Sequence, residues 1–331
     1  MEDPLASPAG QLTLARPAHR PTHLPSYRPL TPLDLRSWRG YTHDAAVVVL
    51  TQANRPAELV RAIASVRAQQ GVDVQLVLVL NGAAPGLTVD DLGLPPLEGA
   101  DQLVVLPENA GIPGGRNLGA AAADAGLLLF LDDDAELLGP AVLVTAVRRF
   151  EADERLGAMA IRLVDEQGLT QRRHVPRVGA GSAQRSGHVT HFIGAACAVR
   201  TEAFRAVGGF DRQFFYAMEE SDLSWRLLDA GWDIWYSADL TAFHPHTAPS
   251  RHAGYVVLTA RNRMWAALRS LPVPLCVAYL LIWTVAAVVR GSAVRQVFAG
   301  YRQAWLARPV RRPMRWRTVA RMTRLGRPPV L

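Results

Sequence analysis

The chain has 331 residues, 49% of them hydrophobic and 20% charged, with a net charge of +7. That composition excludes a mainly disordered protein, and the length is about twice that of an ordinary domain. Two cysteines without CxxC spacing, Cys197 and Cys276, exclude a disulfide framework or a cysteine zinc site, so the chain reads as intracellular. All 36 basic residues are arginine, and Asp239 is the last acidic residue. From Leu240 onward there are 15 arginines and no carboxylate, whereas residues 1–239 hold 21 arginines against 29 acids. A mildly acidic body with a basic tail points to a polyanionic partner, either an anionic membrane surface or a nucleic acid.

Residues 1–44 carry a proline about every fourth position early on and no hydrophobic run after the first methionine. This reads as an extended arm rather than a secretory signal. Residues 45–50, AAVVVL, form the first buried-strand candidate. Pro56 then opens a helix with Leu59, Val60, Ile63 and Val66 on one side. Strands are expected over 74–80, 102–106 and 127–131, with an alanine-rich helix between the last two. Strands apolar on both faces and alternating with helices predict an α/β fold, a mostly parallel sheet covered on both sides. In such sheets ligands bind beyond the carboxyl ends of the strands. Asn81 and the run Asp132-Asp133-Asp134 fall there.

Three adjacent carboxylates after a buried strand raise one another's pKa unless something neutralises them. One of them would serve as the cap of a helix starting near Pro140. Three exceed that need and suit a divalent cation shared with substrate phosphates. The segment from Glu108 to Gly119 is a glycine-rich loop entering a helix. Its helix N-terminus and Arg116 suit a diphosphate. Farther on, a helix from Glu219 would group Glu219, Asp222 and Arg226 on one arc, with Asp222 and Arg226 paired on a solvated face. Glu220 falls on the arc of Leu223 and Leu227, as a buried acceptor or as a general base in a cleft. His244 follows a strand-like stretch from Ile234 to Phe243; taken alone, a single histidine is usually structural.

In this order the blocks resemble family 2 glycosyltransferases of the GT-A fold. The matching residues are Thr51 through Arg55-Pro56, Asn109 to Gly119 with its GGRN core, FLDDD at 130–134 and GGFDRQFFYAMEESDLSWRLLDAGW at 208–232. The similarity covers about residues 45–265, within a catalytic domain expected over 45–269. It implies a Rossmann-like GT-A sheet and inverting transfer of a hexosyl or deoxyhexosyl group. The donor would be a nucleotide-diphosphate sugar, and the acceptor a hydroxyl of a lipid-linked or cell-envelope glycan. The resemblance further implies a divalent metal, Mn²⁺ or Mg²⁺, held by Asp132, Asp134 and His244. Glu220 would be the general base, accompanied by Glu219 and Asp222. Thr51, Asn54, Arg55, Asn81, Asn109, Gly111, Gly115, Arg116, Asn117, Asp132 and Asp133 would bind the donor. Two departures stand out. Thr51-Gln52-Ala53-Asn54-Arg55 has one residue more than the family's Thr-x-Asn-Arg. Leu80-Asn81-Gly82-Ala83 replaces Asp-Asn-Gly-Ser, removing an aspartate that often reads the base, so uridine-, dTDP- and GDP-linked sugars all stay open. The alternative is an inactive GT-A scaffold or binding protein, which would need none of these acids.

The tail spans residues 270–331. Residues 272–289 are 18 without a charge, about 27 Å as a helix against a hydrocarbon core of about 30 Å. Nucleotide sugars are cytoplasmic, so both flanks want one side. An in-plane or re-entrant segment on the cytoplasmic side of the cell membrane is expected, with a helix of the protein core as the alternative. Val294, Val297, Phe298, Tyr301 and Trp305 give an amphipathic basic helix suited to an anionic bilayer. Aromatics on its apolar stripe argue against nucleic acid.

Overall fold

The structure is a computed structural model and describes residues 40–84, 86–177, 182–246, 254–289, 291 and 293–330. Most of the expected proline-rich arm, residues 1–39, lies outside them. In chain order the first half comprises β1 (His43–Thr51), α1 (Pro56–Arg67), β2 (Val74–Asn81), β3 (Gln102–Leu106), α2 (Gly111–Ala122), β4 (Ala125–Asp132), β5 (Glu136–Leu137) and α3 (Val142–Ala152). Next come β6 (Leu156–Val164), β7 (Gly187–His188), β8 (Ala196–Arg200), α4 (Thr201–Ala206), α5 (Glu219–Ala230) and β9 (Asp233–Phe243). Four helices end the chain: α6 (Tyr255–Ser270), α7 (Val273–Val289), α8 (Val294–Leu306) and α9 (Trp316–Arg324).

The nine strands form one sheet in the order β3-β2-β1-β4-β8-β6-β9-β5, with β7 on β9. The pairings β1 with β2, β1 with β4, β2 with β3, and β6 with β9 are parallel. β8 runs antiparallel between β4 and β6. The parallel expectation therefore holds for the first half, and the second half is mixed. The strand period of two splits each apolar run between two cores. Val47, Val49, Leu127 and Leu129 face α1 and α3, whereas Val48, Leu128 and Phe130 face the side closed by α2, α5 and α6.

Because β8 is antiparallel, its first residues lie beside the carboxyl end of β4; Asp132 N–H donates to Ala195 O at 3.0 Å. The ends of β1, β4 and β9 and the start of β8 thereby converge. The carboxylate-capped helix near Pro140 is not what forms: α3 has no side-chain cap, and β5 intervenes between the aspartates and that helix. The described part of the tail folds back onto the body, since Tyr279, Ala304 and Met322 join the α5–α6 core. Among the described residues no helix is long and apolar enough to cross a membrane.

Candidate active site

β1 ends at Thr51, whose hydroxyl donates to Asp133 Oδ2 at 2.6 Å. The extra residue after it is accommodated by Ala53, which takes a left-handed φ of +60° while its N–H donates to Thr51 Oγ1 at 2.9 Å. This turn delivers Arg55, whose guanidinium pairs with both Asp133 and Asp134. Asn54 beside it is exposed. Asp133 is buried, and burial pushes its carboxyl up to about 6 against the pull of Thr51 and Arg55.

Asp132, Asp134 and His244 come together: one ligand atom from each lies within 4.8 Å of the others. His244 Nε2 stands 3.6 Å from Asp134 Oδ1, and its Nδ1 is buried without a hydrogen-bond partner among the described residues. Its position is set by its backbone N–H, which donates to Val164 O at 2.9 Å where β6 and β9 end. Two carboxylates and one imidazole fit a divalent ion such as Mn²⁺ or Mg²⁺. The Arg55 guanidinium is the positive charge that balances Asp133 and Asp134 here.

Arg116 is the hub of the site. Only 2% of its side chain is exposed, under the rings of Phe130 and Phe210. Its Nη2 donates to Asp132 Oδ1 and to Gly194 O, both at 2.8 Å. Its Nη1 lies 3.8 Å from Glu219 Oε1 and 4.0 Å from Glu220 Oε1. Burial opposes its charge, but Asp132 and Glu220 outweigh burial and hold its pKa above the ordinary arginine value. In return, Arg116 and then His244 keep Asp132 ionised below the usual carboxylate range despite burial.

The start of α5 differs from the expected orientation. Glu219 and Asp222 are buried, at 2% and 0% exposure, whereas the Glu220 side chain is 23% exposed. Periodicity gave which residues share an arc but missed that both arcs are buried: Leu223 and Leu227 stay in the core, and the Asp222 side is covered as well because α5 packs against α6 there. Asp222 is held by Arg226 at 2.8 Å and stands 3.5 Å from Arg269, so the expected solvated pair is a buried ion pair that braces the helix. Glu220 accepts from Gly194 N–H at 3.1 Å. Burial, then the Glu220 charge, push Glu219 up to about 8, and burial also raises Glu220. The more exposed Glu220, with Gly194 and Arg116 beside it, ionises more readily.

The glycine loop does a different job from the one expected. Asn81 accepts from Ala110 N–H at 2.8 Å and donates to Asn109 Oδ1 at 3.0 Å. Asn109 in turn accepts from Gly111 N–H at 2.8 Å, and Ile112 N–H donates to Phe215 O at 2.8 Å. Protein acceptors thus already serve the N–H groups at the start of α2, and Arg116 points inward. Gly111, at φ +75°, has no room for a Cβ, which would lie 2.5 Å from Phe215 O. Gly115 and Gly119 let α2 lie directly on Leu50 and Val48. Asn117 clasps the backbone of Phe210, donating to its carbonyl at 2.7 Å and accepting from its N–H at 2.9 Å. Leu80, in place of an aspartate, is fully buried in the sheet.

Sequence reasoning missed Gly194 and Asn262. Gly194 links Arg116 to Glu220, and a Cβ there would lie 2.5 Å from Arg116 Nη1. Asn262, on α6, holds the turn before α5. Neither sits in a motif, so no local signal marks them. The cavity beside the start of α5, about 90 Å³, is lined by His191, Ser221, Arg263, Tyr279, Trp283 and Arg327. A larger cavity of about 390 Å³ near Asp229 and Arg312 holds none of the acid cluster.

Comparison with known proteins agrees with this geometry. Residues 47–208 match the family model Glycosyl transferase family 2. A pre-mycofactocin glycosyltransferase of Mycobacterium tuberculosis is 27% identical over 233 residues, covering 64% of this chain and 45% of that protein. Succinoglycan biosynthesis protein ExoA of Rhizobium meliloti is 35% identical over 126 residues, 34% of this chain and 37% of that one. The chain therefore spans under half the length of these curated relatives. Among solved structures, GalNAc-T7 with UDP, GalNAc and Mn²⁺ aligns with a TM-score of 0.54 at 14% identity, covering 72% of this chain and 49% of that one. S. aureus TarS 1-349 aligns at 0.50 and 15% identity, covering 68% and 65%. With β4 delivering its aspartates beside β1 and β8, and with the sequence match running through that same segment, the chain carries a family 2 glycosyltransferase domain on a GT-A frame.

Proposed function

We propose that the protein is an inverting glycosyltransferase that moves a sugar from a nucleotide-diphosphate donor to a hydroxyl of a lipid-linked or cell-envelope glycan. One observation carries the reading: a single buried guanidinium, Arg116, joins the Asp132 end of a three-residue metal-type cluster to the paired acids that open α5. Asp132, Asp134 and His244 would hold a divalent ion, which when bound supplies positive charge to the leaving diphosphate. Glu220 is the base. Its carboxylate takes the proton of the acceptor hydroxyl, the acceptor oxygen bonds to the anomeric carbon, and the bond from that carbon to the diphosphate oxygen breaks. The electron pair leaves with the nucleoside diphosphate, and the configuration at the anomeric carbon inverts. Glu219, pushed up to about 8, keeps its proton at neutral pH, so the pair carries one negative charge where the base needs it. Arg116 orients both acids and steadies Asp132. Thr51 positions Asp133, and Arg55 balances the aspartates until a cation does so.

The family match supports the donor and acceptor classes in general terms. The cavity lined by Arg263, Arg327, Tyr279 and Trp283 supports an acceptor with a charged, ring-bearing end. The test is calorimetry with nucleoside diphosphates and nucleotide sugars in Mn²⁺, Mg²⁺ or EDTA, run beside Glu220→Gln. Metal-dependent binding of one nucleotide class, kept in Glu220→Gln while sugar transfer is lost, is the expected result. Transfer at near wild-type rate by Glu220→Gln removes it as the base, and a folded protein that binds no nucleotide returns the chain to the scaffold reading.

A further inference from the structure

α7 presents an unpartnered apolar face. Val273, Val277, Leu281, Val285, Val288 and Val289 are between 53% and 79% exposed. Steps of four residues from Val273 to Val289, with Val288 beside the last, place them on one face, about 24 Å long at the helical rise. On the opposite side of the helix Cys276 and Tyr279 are buried, and Tyr279 packs against Trp225 of α5 with ring centroids 6.2 Å apart. A contiguous exposed row of this kind on a protein surface marks an interaction site.

The segment C-terminal to α7 supplies the charge. Phe298, Trp305, Leu306 and Trp316 are each more than half exposed. Arg295, Arg302, Arg308 and Arg317 are exposed as well and have no ion pair among the described residues. The expected single stripe of α8 is divided. Val297 and Ala304 are buried, and Gly300 lies against Val257 and Ala260 of α6, while Phe298 and Trp305 stand outward. Thr284 Oγ1 donates to the Tyr301 hydroxyl at 3.2 Å and ties α7 to α8.

We propose that the outer face of α7, with the exposed aromatics and arginines of the segment after it, lies in the plane of an anionic lipid bilayer. The occupant has to offer apolar volume and negative charge together. A second copy of this chain would bring a second arginine-rich, carboxylate-free segment against the first, and the like charges oppose that pairing. An anionic bilayer offers both, with acyl chains for the valine row and headgroups for the guanidiniums. α7 has 17 residues, about 25 Å of helix, short of the hydrocarbon thickness of about 30 Å. It therefore rests in the interface and does not span it. This docking surface is separate from the proposed reaction and stands or falls without it.

The experiment is flotation of the full chain with vesicles of phosphatidylcholine alone, or of phosphatidylcholine with about 30% phosphatidylglycerol, at about 0.1 M and about 0.5 M NaCl. The chain is expected to float with the anionic vesicles and to lose at least about tenfold in affinity at the higher salt. The triple variant Val277→Ser, Leu281→Ser, Val285→Ser is expected to bind at least about tenfold more weakly with an unchanged melting curve, since those side chains touch solvent. The triple variant Arg295→Gln, Arg302→Gln, Arg308→Gln is expected to lose the preference for phosphatidylglycerol by about a hundredfold. No binding to either vesicle, or equal binding to both, overturns the proposal. So does sedimentation of a dimer that the serine variant dissociates. None of these readouts involves sugar transfer, so a failure here is distinguishable from a failure of the catalytic reading.

Discussion

Replacing Asn262 tests how α5 is held. The turn before α5 places three non-glycine residues in the left-handed region, Phe215 at φ +60°, Ala217 at +66° and Met218 at +71°. Each such residue is a strained conformation that surrounding contacts must hold. Three of the contacts come from one side chain: Asn262 is fully buried, and its Nδ2 reaches the carbonyls of Phe214, Tyr216 and Ala217, each at 2.8 Å. Phe214 O has a second donor in Arg261, at 2.9 Å, so Asn262→Ala removes the Asn262 donor from the carbonyls of Tyr216 and Ala217. At about 1–3 kcal/mol for part-buried carbonyls that lose a donor, the loss is about 2 kcal/mol. Asn262→Asp keeps the size but turns an acceptor toward three acceptors, and is expected to cost more than alanine. Urea unfolding followed by far-UV circular dichroism measures both. Turnover is expected to fall in both variants, because Met218 hands the strained turn directly to Glu219 and Glu220. The reasoning fails if both variants stay within about 0.5 kcal/mol of wild type, the range of an ordinary surface change.

Arg116→Met leaves Asp132, Glu219 and Glu220 without their shared cation; a stability loss of about 3–5 kcal/mol at pH 8 is expected. Protonation of the freed acids should shrink that loss at pH 5, which paired urea titrations would reveal. His191 is buried and accepts from Arg327 Nη1 at 2.9 Å, and burial, then that guanidinium, push it down to about 3. The unfolded chain then binds more protons than the folded one between about pH 6.5 and pH 3, so stability is complete above that window and falls as pH drops through it. His191→Gln should flatten this acid limb by up to about 1.4 kcal/mol per pH unit, and an unchanged limb would reassign the effect to other groups. Mn²⁺ at about a hundred times its dissociation constant should stabilise the wild type by about 3 kcal/mol. It should leave Asp134→Asn unmoved in the same thermal scan; equal shifts would place the ion elsewhere.

The first half of the sheet could be read from sequence because AAVVVL and LLLFL are apolar on both faces and are punctuated by proline, glycine and aspartate. β8 could not. Ala196–Arg200 is five residues of mostly small side chains, too short a run to show a period or a direction. The acid triplet was readable as metal-type donors from its place after a strand, whereas His244 was implied as one only by the family resemblance. The orientation of α5 was not, since helical spacing gives relative angles only and Asp222 is neutralised by Arg269 from a distant helix. The glycines of the 108–119 loop were visible, yet their packing role depends on Leu50 and Val48, which no local pattern links to them. Arg116 reads as a phosphate ligand in sequence; its place as a buried counter-ion depends on Asp132, Glu219 and Glu220, which no local pattern links to it.

α6 touches both ends of the problem. Through Asn262 it grips the turn that launches the acid pair, and through Val257 and Ala260 it carries α8 at Gly300. Its last turn also takes Arg312 and Met314 by their backbones, both at 2.8 Å. One rigid rod thus sets the elevation of Glu220 above any surface on which the C-terminal helices rest. An acceptor anchored in that surface would have to raise its hydroxyl to one fixed height. The length of its stalk would then select it as strictly as the shape of its sugar.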